Sequence, residues 1–158
     1  MTGHTVHQFR AHCSWAGSTG AGHREYARAV RAGAPPADAD LTLSADPAFL
    51  GDAALLNPEQ LLVLAAASCQ LLAFLAVAAR ARIDVRDYRD DATATMSEAN
   101  RPVRLAEIVL RPRITLVSGP TEERVRHLVE VAHRECFVAH SLATPVRIEP
   151  LVAFVESA

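Results

Sequence analysis

The chain contains no lysine: all sixteen of its basic residues are arginine. That absence excludes Schiff-base chemistry and a lysine general base, and any fixed positive charge at a site must be a guanidinium. Cysteine is scarce as well. Cys13, Cys69 and Cys136 are too few and too scattered for a disulfide framework, so in a reducing compartment each starts as a thiol. Neither sign of charge is in large excess, and a formal net charge of -2 gives no general electrostatic reason to bind nucleic acid or an anionic membrane. The opening MTGHTVHQF lacks a basic segment followed by an apolar core, which reads against a secretory signal and makes the cytoplasm the expected compartment. No internal repeat, low-complexity segment or linker interrupts the chain. With 50% hydrophobic and 22% charged residues, it has the makeup of a single globular domain over 1–158.

What is present is one long apolar stretch, NPEQLLVLAAASCQLLAFLAVAARAR. Its run from Leu61 to Ala79 approaches the roughly 20 residues of a bilayer span. It is alanine-rich, however, carries Ser68, Cys69 and Gln70 at mid-depth and has no aromatic belt. We therefore read it as a core helix buried nearly all round rather than a membrane span. Its start is well marked, with Asn57 as N-cap, Pro58 at the first helical position, Gln60 at the third and Glu59 in the positive first turn. Arg80 and Arg82 suit its negative end.

Around it the sequence reads as strands and helices in one unit. Residues 6–15 read as a strand, STGAG as a turn, and 24–31 as a second strand, together an N-terminal β-hairpin. After the loop AGAPPADAD come a short strand, LTLS, and an irregular approach to the central helix. Residues 85–97 and 104–118 read as two strands joined by EANRP, with Pro112 marking an edge or a bulge. TEERVRHLVEVAHREC repeats Val125, Leu128, Val129 and Ala132 at helical spacing behind a Thr cap. A short helix around Ser141 and a last strand over 146–155 follow. This order predicts an α+β fold rather than a doubly wound parallel sheet.

A buried thiol is by default a small hydrophobe, and apolar burial raises its pKa. Cys69, mid-helix, cannot use the positive end of its own helix and needs a cation from elsewhere. The second cysteine changes the reading: Cys136 lies near the end of the other long helix, in AHRECFVAHSL. NPEQLLVLAAASCQ, followed downstream by AHRECFVAHSLATPVRIE, resembles the two cysteine blocks of the OsmC/Ohr family of osmotically inducible and organic hydroperoxide resistance proteins. The resemblance runs from Asp46 to the end, and SADPAFLGD is similar to the lead-in of one OsmC-like branch.

The resemblance implies a thiol peroxidase acting on organic hydroperoxides, in an interlocked homodimer with an OsmC-like fold. It makes Cys69 the peroxidatic cysteine, passing through a sulfenic acid, and Cys136 its resolving partner in a Cys69–Cys136 disulfide. An external dithiol, in the family often a lipoyl group, resets the enzyme, and neither metal nor haem is needed. An apolar hydroperoxide suits a pocket formed by Leu72, Phe74 and Phe137. The family also pairs an arginine with the motif glutamate, here Glu59; Arg28 is the favoured candidate, with Arg24 behind it, since Arg24, Tyr26 and Arg28 alternate onto one strand face.

Glu59 raises a geometric point of its own. Ten residues of helix rise about 15 Å, so Glu59 either only caps its helix or serves a site shared with another subunit across a twofold axis. Two other readings stay open. His133, Cys136 and His140 fall at i, i+3 and i+7, a face that could hold zinc. A non-catalytic member of the fold could use the same cysteine pair as a redox sensor, or bind a small apolar ligand.

Overall fold

The two long strands expected over 85–97 and 104–118 are each broken once, and the last strand over 146–155 breaks as well. The computed structural model describes residues 4–156, which form two compact units, one through Leu61 and one from Leu62 onward.

In the first unit a three-stranded antiparallel sheet has the order β1-β2-β3, with β1 at His12–Ser14, β2 at Val30–Gly33 and β3 at Asp40–Leu43. The hairpin exists, but both of its strands are shorter than expected. Val6 and Phe9 remain 82% and 94% exposed, because the four-residue β2 offers them no pairing partner. Residues 23–26 form a turn rather than strand. The reason lies in side chains: Trp15 Nε1 donates to the Ala27 carbonyl at 2.7 Å, and Arg28 donates to the carbonyls of Tyr26 and His23 at 3.0 and 2.5 Å. Acceptors that a strand ladder would use are thereby taken. Arg24, Tyr26 and Arg28 consequently do not alternate on a strand.

A 3₁₀ turn at Pro47–Phe49, capped by Asp46, leads towards α1, Pro58–Arg80. The start of α1 is a reciprocal capping box: Gln60 N–H donates to Asn57 Oδ1 at 2.8 Å and Asn57 N–H donates to Gln60 Oε1 at 3.0 Å. Two of the first turn's orphan donors are thus satisfied. At its other end Arg82 takes a left-handed φ of 57° and the Ile83 N–H returns to the Ala78 carbonyl at 2.9 Å, a position that glycine usually fills.

In the second unit, β4 (Val85–Asp90), β7 (Pro112–Val117) and β9 (Leu151–Val155) form one sheet in the order β4-β7-β9. A second sheet, in the order β5-β6-β8, holds β5 (Thr93–Met96), β6 (Leu105–Leu110) and β8 (Val146–Ile148). The pairs β4/β7 and β5/β6 are antiparallel, while β6/β8 and β7/β9 are parallel. All three strand lines break at the same level, after Asp90, at Arg111 and at Glu149 and Pro150. Proline supplies no N–H at two of these breaks, and Asp90 Oδ1 takes the Arg111 N–H at 2.7 Å. Pro112 is therefore the first residue of a central strand, not an edge or a bulge.

Helices α2 (Glu122–Glu135), capped by Thr121, and α3 (Phe137–Ser141) complete the unit. One core cluster packs Phe74, Val77 and Ala78 of α1 with Ile114, Leu116, Val125, Val129 and Ala132. A second packs Ala66 with Ile108 and Leu110. Helix α1 thus supplies both clusters, although by length and composition it could cross a membrane. It is not buried nearly all round: Leu64, Leu72 and Leu75 are 56%, 65% and 39% exposed.

Candidate active site

Cys69 stands half-buried near the middle of α1. Counting along the helix, Ala65, Cys69, Leu72, Ala76 and Arg80 share one face, and together they line a groove of about 910 Å³, within the size range of small-molecule sites. The other wall comes from the end of α2 and the start of α3, through Arg134, Glu135, Phe137 and Val138.

Cys136 joins those two helices, closing α2 and preceding the first residue of α3. It is 1% exposed. Burial pushes its thiol up to about 11, and contact with Cys69 pushes the same way, against the backbone N–H groups of Ala139 and Val138 that favour its thiolate. The two sulfurs are therefore neighbours, and both are free thiols. One faces a groove and the other is sealed and held protonated.

Of the expected pocket residues, Leu72 and Phe137 line the groove. Phe74 does not: it is fully buried in the core, its ring 5.8 Å from that of Tyr88. The helical period explains this, since Leu72 and Phe74 are two residues apart and point to different faces.

Glu59, Arg28 and Arg24 belong to the first unit. Glu59 and Arg28 line a cavity of about 630 Å³ together with Cys13, Trp15, Tyr26 and Asp46. The structure brings the two into one cavity without an ion pair, for the Arg28 donors go to backbone carbonyls and its guanidinium lies 4.1 Å from the centre of the Tyr26 ring. Arg24 is exposed in the 23–26 turn.

The zinc set does not assemble. Among the described residues no three His, Cys, Asp or Glu side chains are grouped to hold a metal ion. His140 Nε2 is 2.9 Å from the Arg134 carbonyl, while burial, with help from His140, lowers the His133 pKa. Sequence reasoning missed Arg80, Arg134 and Glu135 as groove residues. Arg80 and Glu135 form an ion pair at 2.5 Å. The eleven-residue spacing of Cys69 and Arg80, three turns of helix, was the available signal.

Residues 51–150 match the family model described as OsmC-like protein. An OsmC-like protein of unknown function from Vibrio cholerae is 27% identical, with a TM-score of 0.84 over 92% of this chain and 100% of that one. An OsmC-like protein from Mycoplasma pneumoniae is 14% identical, with a TM-score of 0.75 over 94% and 99% of the two chains. An organic hydroperoxide resistance protein from Elizabethkingia anophelis, with thiocyanate bound, is 18% identical, with a TM-score of 0.71 over 96% and 99%. These last two likenesses establish the shared fold. No curated protein matches the chain.

Proposed function

Since the chain belongs to the OsmC-like family, we propose that it is a thiol-dependent peroxidase that reduces organic hydroperoxides to alcohols. The observation that carries this reading is the asymmetry of the cysteine pair, with Cys69 on an apolar groove and Cys136 sealed beside it with a raised pKa. The name of the Elizabethkingia protein supports the same chemistry.

In this reading the Cys69 thiolate attacks one peroxide oxygen of a substrate lying along Leu72 and Phe137. The O–O bond breaks, the alkoxide leaves and is protonated to the alcohol, and the sulfur, oxidised by two electrons, becomes a sulfenic acid. The Cys136 thiol then attacks that sulfur, water leaves, and a disulfide forms. An external dithiol, of the lipoyl kind, returns two electrons and two protons. A protonated Cys136 suits the second role: it stays out of the first step and reacts once a sulfenic acid lies against it.

The exposed leucines of α1 are the surface a second copy would cover, and we assign the protein to a homodimer in the cytoplasm. Glu59 and Arg28 are assigned to orienting the hydroperoxide, serving the thiol of the second copy, because ten residues of helix put Glu59 about 15 Å of rise from its own Cys69.

The test is turnover. Reduced protein with cumene hydroperoxide and excess dihydrolipoamide consumes peroxide continuously, and a Cys69–Cys136 disulfide appears by mass spectrometry when the dithiol is withheld. A single stoichiometric oxidation with no further consumption would mark a sensor instead. Two thiols that stay reduced would remove the redox role altogether.

A further inference from the structure

We propose that Gln70 is a positioning residue for the cysteine pair, an amide that locks α1 in one register against α2 so that the sulfurs of Cys69 and Cys136 stand ready to join. The inference rests on the disulfide step of the proposed reaction. The buried face of α1 is made of Ala66, Gln70, Phe74, Val77 and Ala78, and Gln70, its one polar member, is 0% exposed. Its Nε2 donates to the Val129 carbonyl of α2 at 3.2 Å, while its Oε1 has no partner among the described residues. An acceptor buried unpaired costs at least what one hydrogen bond returns, so an apolar residue here would hold the two helices together as well or better. Stability does not explain the amide.

What an apolar side chain does not supply is direction. Hydrophobic contact is non-directional, and the rest of that face is apolar, so nothing else in it selects one rotation or translation of α1 against α2. A hydrogen bond to a single backbone carbonyl does select one, as a buried polar residue fixes register in a coiled coil. Register matters because a disulfide closes only when the two Cα atoms lie within about 7 Å. Gln70 directly follows Cys69. The second side-chain bond between the helices, Arg80 to Glu135 at 2.5 Å, ends on the residue directly before Cys136. Each cysteine is thus the neighbour of a residue bonded to the other's helix. The buried tie carries most of the effect, since the ion pair is exposed on both sides and such pairs hold weakly. Cys136 touches Cys69 while both are free thiols, so the approach of the sulfurs is in place before oxidation.

The experiment uses the full chain carrying Cys13→Ser, equilibrated with mixtures of reduced and oxidised glutathione. Cys69 attacks the glutathione disulfide and one glutathione leaves as thiol; Cys136 then displaces the second from Cys69, and two electrons have passed from the protein thiols to glutathione. Gln70→Met roughly conserves the side-chain volume and removes both the donor and the unpaired acceptor. Its urea midpoint is expected to stay or rise, yet the Cys69–Cys136 disulfide becomes about fivefold less favoured, a reduction potential about 20 mV higher, and the closing step slows similarly. A residue that only packed would move the midpoint and leave the potential in place. Arg80→Gln shifts the same equilibrium about twofold, and the exchange Arg80→Glu/Glu135→Arg restores it.

A Gln70→Met protein whose potential and closing rate equal the parent's overturns the proposal, whatever its midpoint. Should that variant not fold, an unchanged potential in Arg80→Gln decides the same way. The peroxidase reading fails separately, because glutathione exchange needs no hydroperoxide. If the potential shifts as described while the unsubstituted protein consumes no hydroperoxide, the positioning role of Gln70 stands and the enzymatic role falls.

Discussion

Phe74→Ala and Phe137→Ala separate the core of this protein from its groove, and the two substitutions have opposite expected signatures. Phe74 is 0% exposed, clustered with Ile114, Leu116, Val125 and Val129 and tilted against Tyr88 at 5.8 Å. Truncation removes the burial energy of the ring and leaves a cavity walled by the middle strand β7 and helix α2, neither of which can collapse inward without breaking its own hydrogen bonds. Such changes cost about 3–5 kcal/mol, a large share of the roughly 5–15 kcal/mol that holds a domain folded. Phe137 is 83% exposed, and its truncation should change stability by less than about 0.5 kcal/mol. The assay is urea unfolding followed by far-ultraviolet circular dichroism at fixed protein concentration, paired with steady-state hydroperoxide reduction. Phe74→Ala lowers the midpoint steeply, whereas Phe137→Ala leaves the midpoint in place and raises KM for apolar hydroperoxides. A Phe74→Ala protein losing under about 1 kcal/mol, or a Phe137→Ala protein that unfolds early with unchanged KM, would refute the division of the two rings into core and groove.

Asn57→Ala removes one half of the capping box and is expected to destabilise the protein by about 1 kcal/mol, read from the same urea curves. Gly51→Ala would set a Cβ 1.7 Å from the Ala45 carbonyl oxygen; a loss of about 3 kcal/mol or failure to accumulate as folded protein is expected, and wild-type stability would show that the backbone yields there. Arg82→Gly relieves a left-handed φ of 57° and should raise stability by about 0.5–1 kcal/mol. Cys136 has a folded pKa raised from 9.0 to about 11, so the unfolded chain loses that proton first. Its contribution to stability is therefore complete below pH 9 and lost as pH rises towards 11, and Cys136→Ser should flatten that part of the pH–stability curve.

Legibility followed local chemistry. The start of α1 was readable because Asn57, Pro58, Glu59 and Gln60 are each suited to their place in the first turn, and α2 because Thr121 caps a helix whose apolar residues recur at helical spacing. The strand breaks were not readable, because each depends on partners distant in sequence: Asp90 on the Arg111 N–H, Arg111 on Glu149 and Thr93. Pro112 signalled an interruption, but only the level shared by all three strand lines shows that it opens a strand. The second strand of the hairpin failed for a related reason. Arg28 and Trp15 hydrogen-bond to carbonyls of the 23–27 segment, a competition that propensity and alternation do not register.

The site divides along the same line. The order of the two cysteine blocks singled out Cys69 and Cys136, and the structure does make them neighbours. Which of the two opens onto a groove was not legible, since family resemblance alone gave them different roles; in the structure Cys69 lines the groove and Cys136 is buried. The helix that holds Cys69 explains the remaining error. An alanine-rich sequence that is apolar on every side has little amphipathic signal, so nothing in its period separates the face packed on Ile114 and Leu116 from the face bearing Leu64, Leu72 and Leu75. A helix apolar all round is expected to be covered all round, yet this chain covers only part of it. If the homodimer forms, Leu64→Glu, placed where the leucine is 56% exposed, should bring a charge into the covered face and shift the protein towards monomer in sedimentation equilibrium. A variant that stays fully dimeric at micromolar concentration would mean that two copies meet elsewhere, and Glu59 would then be left with only its helix to serve.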